Sequence, residues 1–555
     1  MPQDAFTLKH VIKELDELLA GGKISRINQR EKDGLTFLIY TKNSTVKLEI
    51  SANAQNCRLN IGSNEKQAPA AAPNFCMLLR KHLQNAQILK VRQIGFERIA
   101  AIDFLCVTEF ERAERTLYCE IMGKYSNVIL TENGVILGAL KTSGIDDGTH
   151  RLLLSGAKYN LPPAQDKVNP LDKEELEKVL SEREGELARF ISARVLGVCY
   201  STALEMENAL GENPSAEDIY NYIVTDDISP CVTYSNGVPN DFKVRSSSPD
   251  KKLYPSLLKA QGEYYLYVTK KKEFEDKKRK LDGVLRSAEK KCGKRLEIIS
   301  SRRQDCEDMD TLKLKGELIT ANIYAIERGM DSFKAVNYYL ENCPEITIAL
   351  DRQLTPSQNA QKYYKRYAKL KRTVAALDVQ EAEAEREKDY LASIRCHLDG
   401  ADDIADFEGI ETELSAAGLI KTADGKNKKK KQEDEPVYRK FLYNGFTIIA
   451  GRNNLQNERL TKSLKESDLW LHTQKYHSSH VAILSDGRPI PDDVIKVAAE
   501  ICGYYSEARQ SGKVPVDYTL KKYVKKPNAS KAGFVTYTEY KTAVAEPNAH
   551  AELKD

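Results

Sequence analysis

The sequence predicts a multidomain α+β chain in which two mixed α/β ends flank a long antiparallel coiled-coil arm. Three observations predict it. A length of 555 residues exceeds what one hydrophobic core supports, so roughly three or four domains are expected. Strand-type alternation and short helical patterns fill residues 1–170 and return over 437–547. Between them, two stretches place apolar residues at three- and four-residue steps with charged flanks, the pattern of a helical seam.

The bulk properties limit the function classes. Net charge is only +3 although 30% of residues are charged, so charge is gathered in blocks. The start MPQDAFTLKHVIKEL lacks the basic-then-apolar layout of a secretory signal, and no apolar run reaches membrane-spanning length. A soluble cytoplasmic protein with no membrane partner is expected. The eleven cysteines stand singly, with no CxxC pair, which speaks against a disulfide framework or a paired-cysteine zinc module.

The first element is a helix carrying Leu8, Ile12, Leu15, Leu18 and Leu19, closed by Gly21-Gly22. Strands follow in GKISRINQR, LTFLIYTK and TVKLEIS. After the linker QAPAAAP at 67–73 comes a short amphipathic helix, FCMLLRKHL. The strands ILKVRQIGF, IAAIDFLCV, TLYCEIM and SNVILT complete this part, and LPPAQDKVNP marks its boundary near 170. Residues 171–230 read as charged helices broken at Gly197 and at GENPS, and 231–261 as a connecting segment.

The seam begins near 262. Phe274, Leu281, Leu285, Ala288, Cys292 and Ile299 define arm 1, 262–302; Tyr363, Tyr367, Leu370, Val374, Leu377, Ala384 and Leu391 define arm 2, 358–400. Arms of roughly 35–40 residues would extend about 50–60 Å. The insert 303–357, with GELITANIYAIERG and TPSQNAQ, would cap the tip of an intramolecular hairpin; simple dimerisation is the alternative reading. The linker 401–436 includes the charged, low-complexity KTADGKNKKKKQEDEP, read as flexible. Residues 437–547 form a second α/β domain with the helix DDVIKVAAEICGYYSEAR, and 548–555 read as a frayed tail.

Residues 467–483, SDLWLHTQKYHSSHVAI, hold the single tryptophan, Trp470, and three of eight histidines, His472, His477 and His480. A metal site lacks a HExxH helix, and only Cys502 and Asp468 offer further ligands. A hydrolase site would need a G-x-S-x-G elbow around Ser478 and Ser479, which is absent. A strand–loop–strand edge presenting a ring, imidazoles and hydroxyls suits RNA. A packed hairpin with Trp470 in the core is compatible with that. Lys521, Lys522, Lys525 and Lys526 interleave with Tyr518 and Tyr523; on a strand, Lys521, Tyr523 and Lys525 would share one face, suited to a nucleic-acid backbone or to a solvated edge. Arg452 in the GRNN loop could fork onto a phosphate. The start Pro2-Gln3 is similar to base-excision glycosylases of the formamidopyrimidine type, but Gln3 cannot serve as a general acid.

Taken together, FCMLLRKHL, CEIMGKYSNVIL, GELITANIYAI, LTPSQNAQKYYKRYAKLKR, the 451–483 block and VDYTLKKYVKKPNASKAGFVTYTEYKT resemble the NFACT family over almost the whole chain. The resemblance implies a glycosylase-like N-terminal domain at 1–170 without glycosylase chemistry, a helix-hairpin-helix region, the coiled-coil arm with its middle tip, and a C-terminal α/β RNA-binding domain. It implies binding to large ribosomal subunits obstructed by peptidyl-tRNA, recruitment of alanyl-tRNA, template-free C-terminal alanine tailing, and a small RNA-binding partner of the RqcP type. The ribosome would make the bonds, so the chain would be a binding factor with no cofactor and no metal. A fibronectin-binding surface adhesin, after the older family name, is the alternative, and it would require export.

The family's tRNA-contact motifs correspond to Glu97-Arg98, where the family has aspartate at the first position, and to Glu120-Ile121-Met122. A carboxylate at 97 could orient Arg98 or accept from a base amine, whereas the bland reading is a surface ion pair worth under about 1 kcal/mol. In the C-terminal domain Trp470 is expected in the core, with some of His472, Lys475 and His480 toward RNA beside Arg452 and the four lysines.

Overall fold

The computed structural model describes residues 3–42, 44–62, 72–107, 112–144, 151–420, 438–528 and 530–554. Pro2, most of the QAPAAAP stretch and the 421–436 linker with its lysines fall outside them. The chain divides into two compact units, 1–272 and 273–555.

In the first unit, helix α1 (Ala5–Leu19) is capped by Asp4, whose carboxylate accepts from the Thr7 amide at 2.9 Å. Such a cap is worth about 1 kcal/mol. Its stripe Leu8, Ile12, Leu15 and Leu19 is buried, while Leu18 lies off the stripe and is exposed. The helix covers a nine-stranded antiparallel sheet, order β4-β3-β2-β1-β5-β6-β7-β8-β9. Its strands are β1 Lys23–Glu31, β2 Gly34–Tyr40, β3 Thr45–Ser51, β4 Arg58–Ile61, β5 Gln87–Gln93, β6 Ile99–Val107, β7 Arg112–Glu120, β8 Asn127–Glu132 and β9 Val135–Ala139.

Alternation drives the packing: Leu35, Phe37 and Ile39 of β2 and Val46, Leu48 and Ile50 of β3 enter one core with α1 and α2 (Asn74–Leu83). Gln3 is buried and exchanges two hydrogen bonds with the Leu59 backbone, at 3.0 and 3.1 Å, so its amide acts as part of the β4 edge.

Four short helices follow, α3 (Lys173–Ser181), α4 (Leu187–Arg194), α5 (Tyr200–Leu210) and α6 (Ala216–Val224). Gly197 and Gly211 adopt positive φ at the breaks. The segment 231–261, read from sequence as a connection, instead holds a three-stranded sheet: β10 (Cys231–Ser235), β11 (Val238–Lys243) and β12 (Lys251–Leu253). The Asn236-Gly237 turn, both residues at positive φ, is the hairpin signal for it.

Two long helices carry the seam, α7 (Leu257–Gln304) and α9 (Pro356–Asp399). Within the second unit Leu281, Leu285 and Cys292 meet Leu391 and Ile394, and Ile299 meets Leu377 and Ala384. Ion pairs bridge the two helices in antiparallel register: Arg295 with Glu383 and Glu387, Arg303 with Asp378, Arg395 with Glu289. Toward the tip the seam loosens, and Leu370 and Val374 are only half-buried. Helix α8 (Met309–Ala321) packs on α9, where Gly316 faces Tyr364 so closely that a Cβ would sit 3.0 Å from its ring. Strands β13 (Ser332–Val336) and β14 (Glu345–Ala349) form the tip hairpin.

The linker reading fails over 404–416. Helix α10 (Ile404–Ala416) has a full capping box at Asp403 and buries Phe407, Ile410 and Leu414 against the seam. The C-terminal sheet, order β15-β16-β18-β17-β19-β22, comprises β15 Arg439–Tyr443, β16 Phe446–Ala450, β17 Leu469–Thr473, β18 Val481–Leu484, β19 Val514–Leu520 and β22 Lys541–Ala545. Helices α11 (Asn454–Ser463) and α12 (Asp492–Tyr504) flank it: α12 covers one core, and Leu460 of α11 joins Trp470 and Val524 in the other. A separate hairpin pairs β20 (Val524–Lys525) with β21 (Thr536–Tyr537).

The tail expected to fray is docked. His550 Nε2 lies 2.7 Å from Glu500 and Lys554 bridges to Phe441, because the turn 551–553 seats Leu553 on the α12 core.

Candidate nucleic-acid interface

The first candidate surface lies at one end of the N-terminal sheet. Glu97 and Arg98 occupy the β5–β6 turn, entered through Gly95 at φ +56. The Gln93 side-chain amide holds the turn by donating to the Glu97 carbonyl at 2.8 Å. The Arg98 carbonyl accepts from the Ile121 amide at 2.8 Å, so the two motifs, distant in sequence, are stitched through their backbones. Glu97 is half-buried, and burial raises its carboxyl above the usual range although Arg98 opposes the shift.

The Glu120-Ile121-Met122 motif divides by burial. Glu120 is buried and grasped in bidentate fashion by Arg151 at 2.7 and 3.0 Å, with the Tyr159 hydroxyl donating at 2.9 Å. Ile121 belongs to the core. Met122 is half-buried and leads into the turn Gly123–Tyr125, where Lys124 and Tyr125 are exposed. Of the three, only Met122 is open to a ligand without rearrangement.

The second surface is a cleft of about 910 Å³ in the second unit. Its floor includes Trp470, which is fully buried as expected. The His472 ring lies nearly parallel to the indole, 4° between planes with centroids 5.7 Å apart, and His480 stands edge-on at 5.2 Å. His472 is half-buried; its Nδ1 lies 2.8 Å from the Thr473 carbonyl, which can only accept, so Nδ1 carries the proton and Nε2 is left as an acceptor. Burial holds His472 down to about 4 and His480 well below its ordinary value, so both rings are neutral at physiological pH. His480 is 2% exposed and bonded to Thr461 at 2.8 Å. His477 faces Asp389 at 3.3 Å. Among the described residues, no group of three or more His, Cys, Asp or Glu side chains converges as a metal site.

Tyr390 and Ser393 of α9 and Phe534 and Tyr537 of the β20–β21 hairpin complete the walls. Sequence reasoning missed these four. The FVTY run following a lysine was the available signal for the last two, whereas Tyr390 was hidden within the arm.

The lysine run is not a strand. Lys521–Tyr523 forms a 3₁₀ turn, and only Val524–Lys525 is extended, because Val524 turns inward to the Trp470 cluster. The shared face expected of Lys521, Tyr523 and Lys525 therefore does not exist. Lys525 is exposed, Lys522 lies over the Tyr523 ring at 4.9 Å, and Lys526 pairs with Glu458 at 2.6 Å. Lys475 is exposed at φ +64 in the β17–β18 loop. Arg452 is turned inward, with Nη1 2.7 Å from both Asp403 and Asp406, so its fork is engaged inside the fold.

A family model for the NFACT N-terminal and middle domains matches residues 4–433, and one for the NFACT protein RNA-binding domain matches 437–537. The Rqc2 homolog RqcH of Bacillus subtilis is 33% identical over 557 residues, covering 98% of this chain and 97% of that protein. RqcH of Streptococcus pneumoniae (strain D39) is 32% identical, covering 99% and 98%. The solved N-terminal part of the fibronectin/fibrinogen-binding protein from Streptococcus suis shares 28% identity over 47% of this chain and 98% of that one, at a TM-score of 0.43. With both family models matched in order and full-length relatives above 30% identity, this chain belongs to the NFACT family.

Proposed function

We propose that this chain is a ribosome quality-control factor that binds large ribosomal subunits obstructed by peptidyl-tRNA and recruits alanyl-tRNA for template-free C-terminal alanine tailing. The observation that carries the reading is the end-to-end similarity to RqcH proteins, which spans both family models. In this reading 1–170 is the glycosylase-like domain and 171–230 the helix-hairpin-helix region. The peptide bonds are the ribosome's work, and the chain acts by binding, in the cytoplasm, with a small RqcP-type partner.

The geometry supports a division of labour. Arg98 and Met122 sit on stitched backbone turns of a rigid sheet, as a reading surface for tRNA requires. Lys475, Lys522 and Lys525 are exposed in the C-terminal domain, as backbone contact with RNA requires. Among the described residues no helix is long and apolar enough to cross a membrane. The Streptococcus suis protein is named for fibronectin/fibrinogen binding, and that name gives no weight to adhesion here.

The test is sucrose-gradient sedimentation of the tagged full-length chain, followed by tRNA sequencing of the pull-down. Co-migration with large subunits and enrichment of alanine tRNA are expected. A cell-surface location without ribosome association would overturn the reading.

A further inference from the structure

The cleft around Trp470 is matched to neither the lysines nor the tRNA motifs, and its chemistry is distinct from both. Three cations line it, Arg295, Arg386 and Lys531, against three carboxylates, Glu383, Glu387 and Asp389. Of the three histidines lining it, His472 and His480 are kept uncharged at neutral pH by burial, and His477 faces the Asp389 carboxylate. A lining with balanced charge does not attract a phosphate. It suits a flat, neutral, polar-edged group of the size that clefts of several hundred cubic ångströms enclose.

The β20–β21 hairpin links this lining to the lysines. Tyr537 lies opposite Val524 and Thr536 opposite Lys525, so Tyr537 faces inward with Val524 while Lys525 stands with Thr536 on the outer face of the hairpin. Phe534, at the mouth, exposes 51% of its surface although it is a large apolar ring. His472 offers Nε2 as an acceptor, and the fully buried Trp470 lies behind its ring. The Trp470 Nε1–H has no acceptor among the described residues.

From this juxtaposition we propose that the cleft takes one unstacked nucleobase of a bound RNA strand, stacked against Phe534 and Tyr537 and met at its edge by His472, while the backbone leaving the cleft crosses the hairpin to Lys525 on its outer face. The inference rests on the RNA-binding reading of this domain. Base stacking on exposed aromatics supplies affinity that the lysines alone cannot, and a flipped base fixes the strand's register on the domain. The cleft thus converts non-specific backbone attraction into a defined pose.

The experiment uses the full-length chain, a short single-stranded RNA, and an abasic ribose-phosphate oligomer of the same length, compared at one salt concentration. Trp470 is the chain's single tryptophan, so its emission reports from the cleft floor. The base-bearing strand should bind on the order of tenfold more tightly than the abasic one and shift Trp470 emission. Phe534→Ala should remove that preference while leaving abasic binding unchanged, and Lys525→Ala should weaken both. Thermal melting of Phe534→Ala confirms folding, which its exposed position protects.

Equal binding of the two oligomers, or an unaltered preference in Phe534→Ala, overturns the cleft proposal while leaving the RNA-binding reading intact. No binding of either oligomer, with no retention on ribosomal RNA, overturns that reading itself. A shift of Trp470 emission by free nucleoside monophosphates that RNA does not displace identifies a small-nucleotide site, and also overturns the proposal.

Discussion

The Arg98 carbonyl accepts a hydrogen bond from the Ile121 amide at 2.8 Å, which makes the β5–β6 turn and the end of β7 one structural element. The side chains differ in duty: Arg98 is half-buried at the turn, whereas Glu120 is consumed by Arg151 and Tyr159 inside the fold.

Arg98→Ala should abolish tRNA co-purification and alanine tailing while leaving most large-subunit binding intact. Glu97→Asp should be tolerated and Glu97→Ala should not. Sequencing of tRNA from the pull-down, with co-sedimentation measured on the same sample, decides it. Wild-type enrichment in Arg98→Ala would reduce the pair to a structural role.

Arg151→Ala should act through folding. It strands the buried Glu120 carboxylate, at a cost on the order of 3–5 kcal/mol. Urea unfolding should show the lowered midpoint, and tRNA capture should fall in parallel with that of Glu120→Ala. Full stability in Arg151→Ala would refute the internal role of the motif glutamate.

Leu285→Asp should part the two long helices, since Leu285 is fully buried against the α9 face and a lone charge there has no partner. Circular dichroism should lose helical signal cooperatively, and large-subunit binding should drop. Leu370→Asp, at a half-buried position in the loosened region, should cost far less. Unaltered large-subunit affinity in Leu285→Asp would remove the arm from the binding elements.

The second unit should lose stability as pH falls from about 6.5 toward 4. His397 and His472 are both held down to about 4 by burial, and His480 lies well below 6.5. In that window the unfolded histidines bind protons that the folded ones do not, so their contribution to stability rises with pH and is complete above the unfolded value, while Glu413, whose carboxyl burial raises, opposes it. Thermal unfolding followed by Trp470 emission should show the slope, and a flat profile across the window would contradict it.

Binding to large subunits should weaken by at least about tenfold between low and moderate salt, through release of counterions from RNA by the exposed lysines. Lys522→Ala with Lys525→Ala should flatten the dependence. Salt-independent affinity in the wild type would exclude an electrostatic interface.

Much of the fold was legible because its signals are periodic. The α1 stripe, the alternating strands and both seams each repeat along one element, so spacing alone exposes them. The lysine run departs from its pattern for a physical reason: alternation predicts a strand across 521–526, but the inward demand of Val524 curls the preceding three residues into a tight turn. Arg452 was legible only as a loop cation, since Asp403 and Asp406, its partners, lie far upstream. The same distance hid Tyr390 from Phe534 across the cleft and Arg151 from Glu120. Sites assembled from remote segments leave no local pattern.

The Asp406 carboxylate, buried on α10, is gripped from beyond the 421–437 stretch by Arg439 at 2.8 Å and Arg452 at 2.7 Å. These contacts act as a rivet joining the two sides of that stretch without the covalent chain. A peptide bond cut there need not release a fragment. Polypeptides 1–420 and 438–555, expressed together, should therefore associate through this rivet and co-purify.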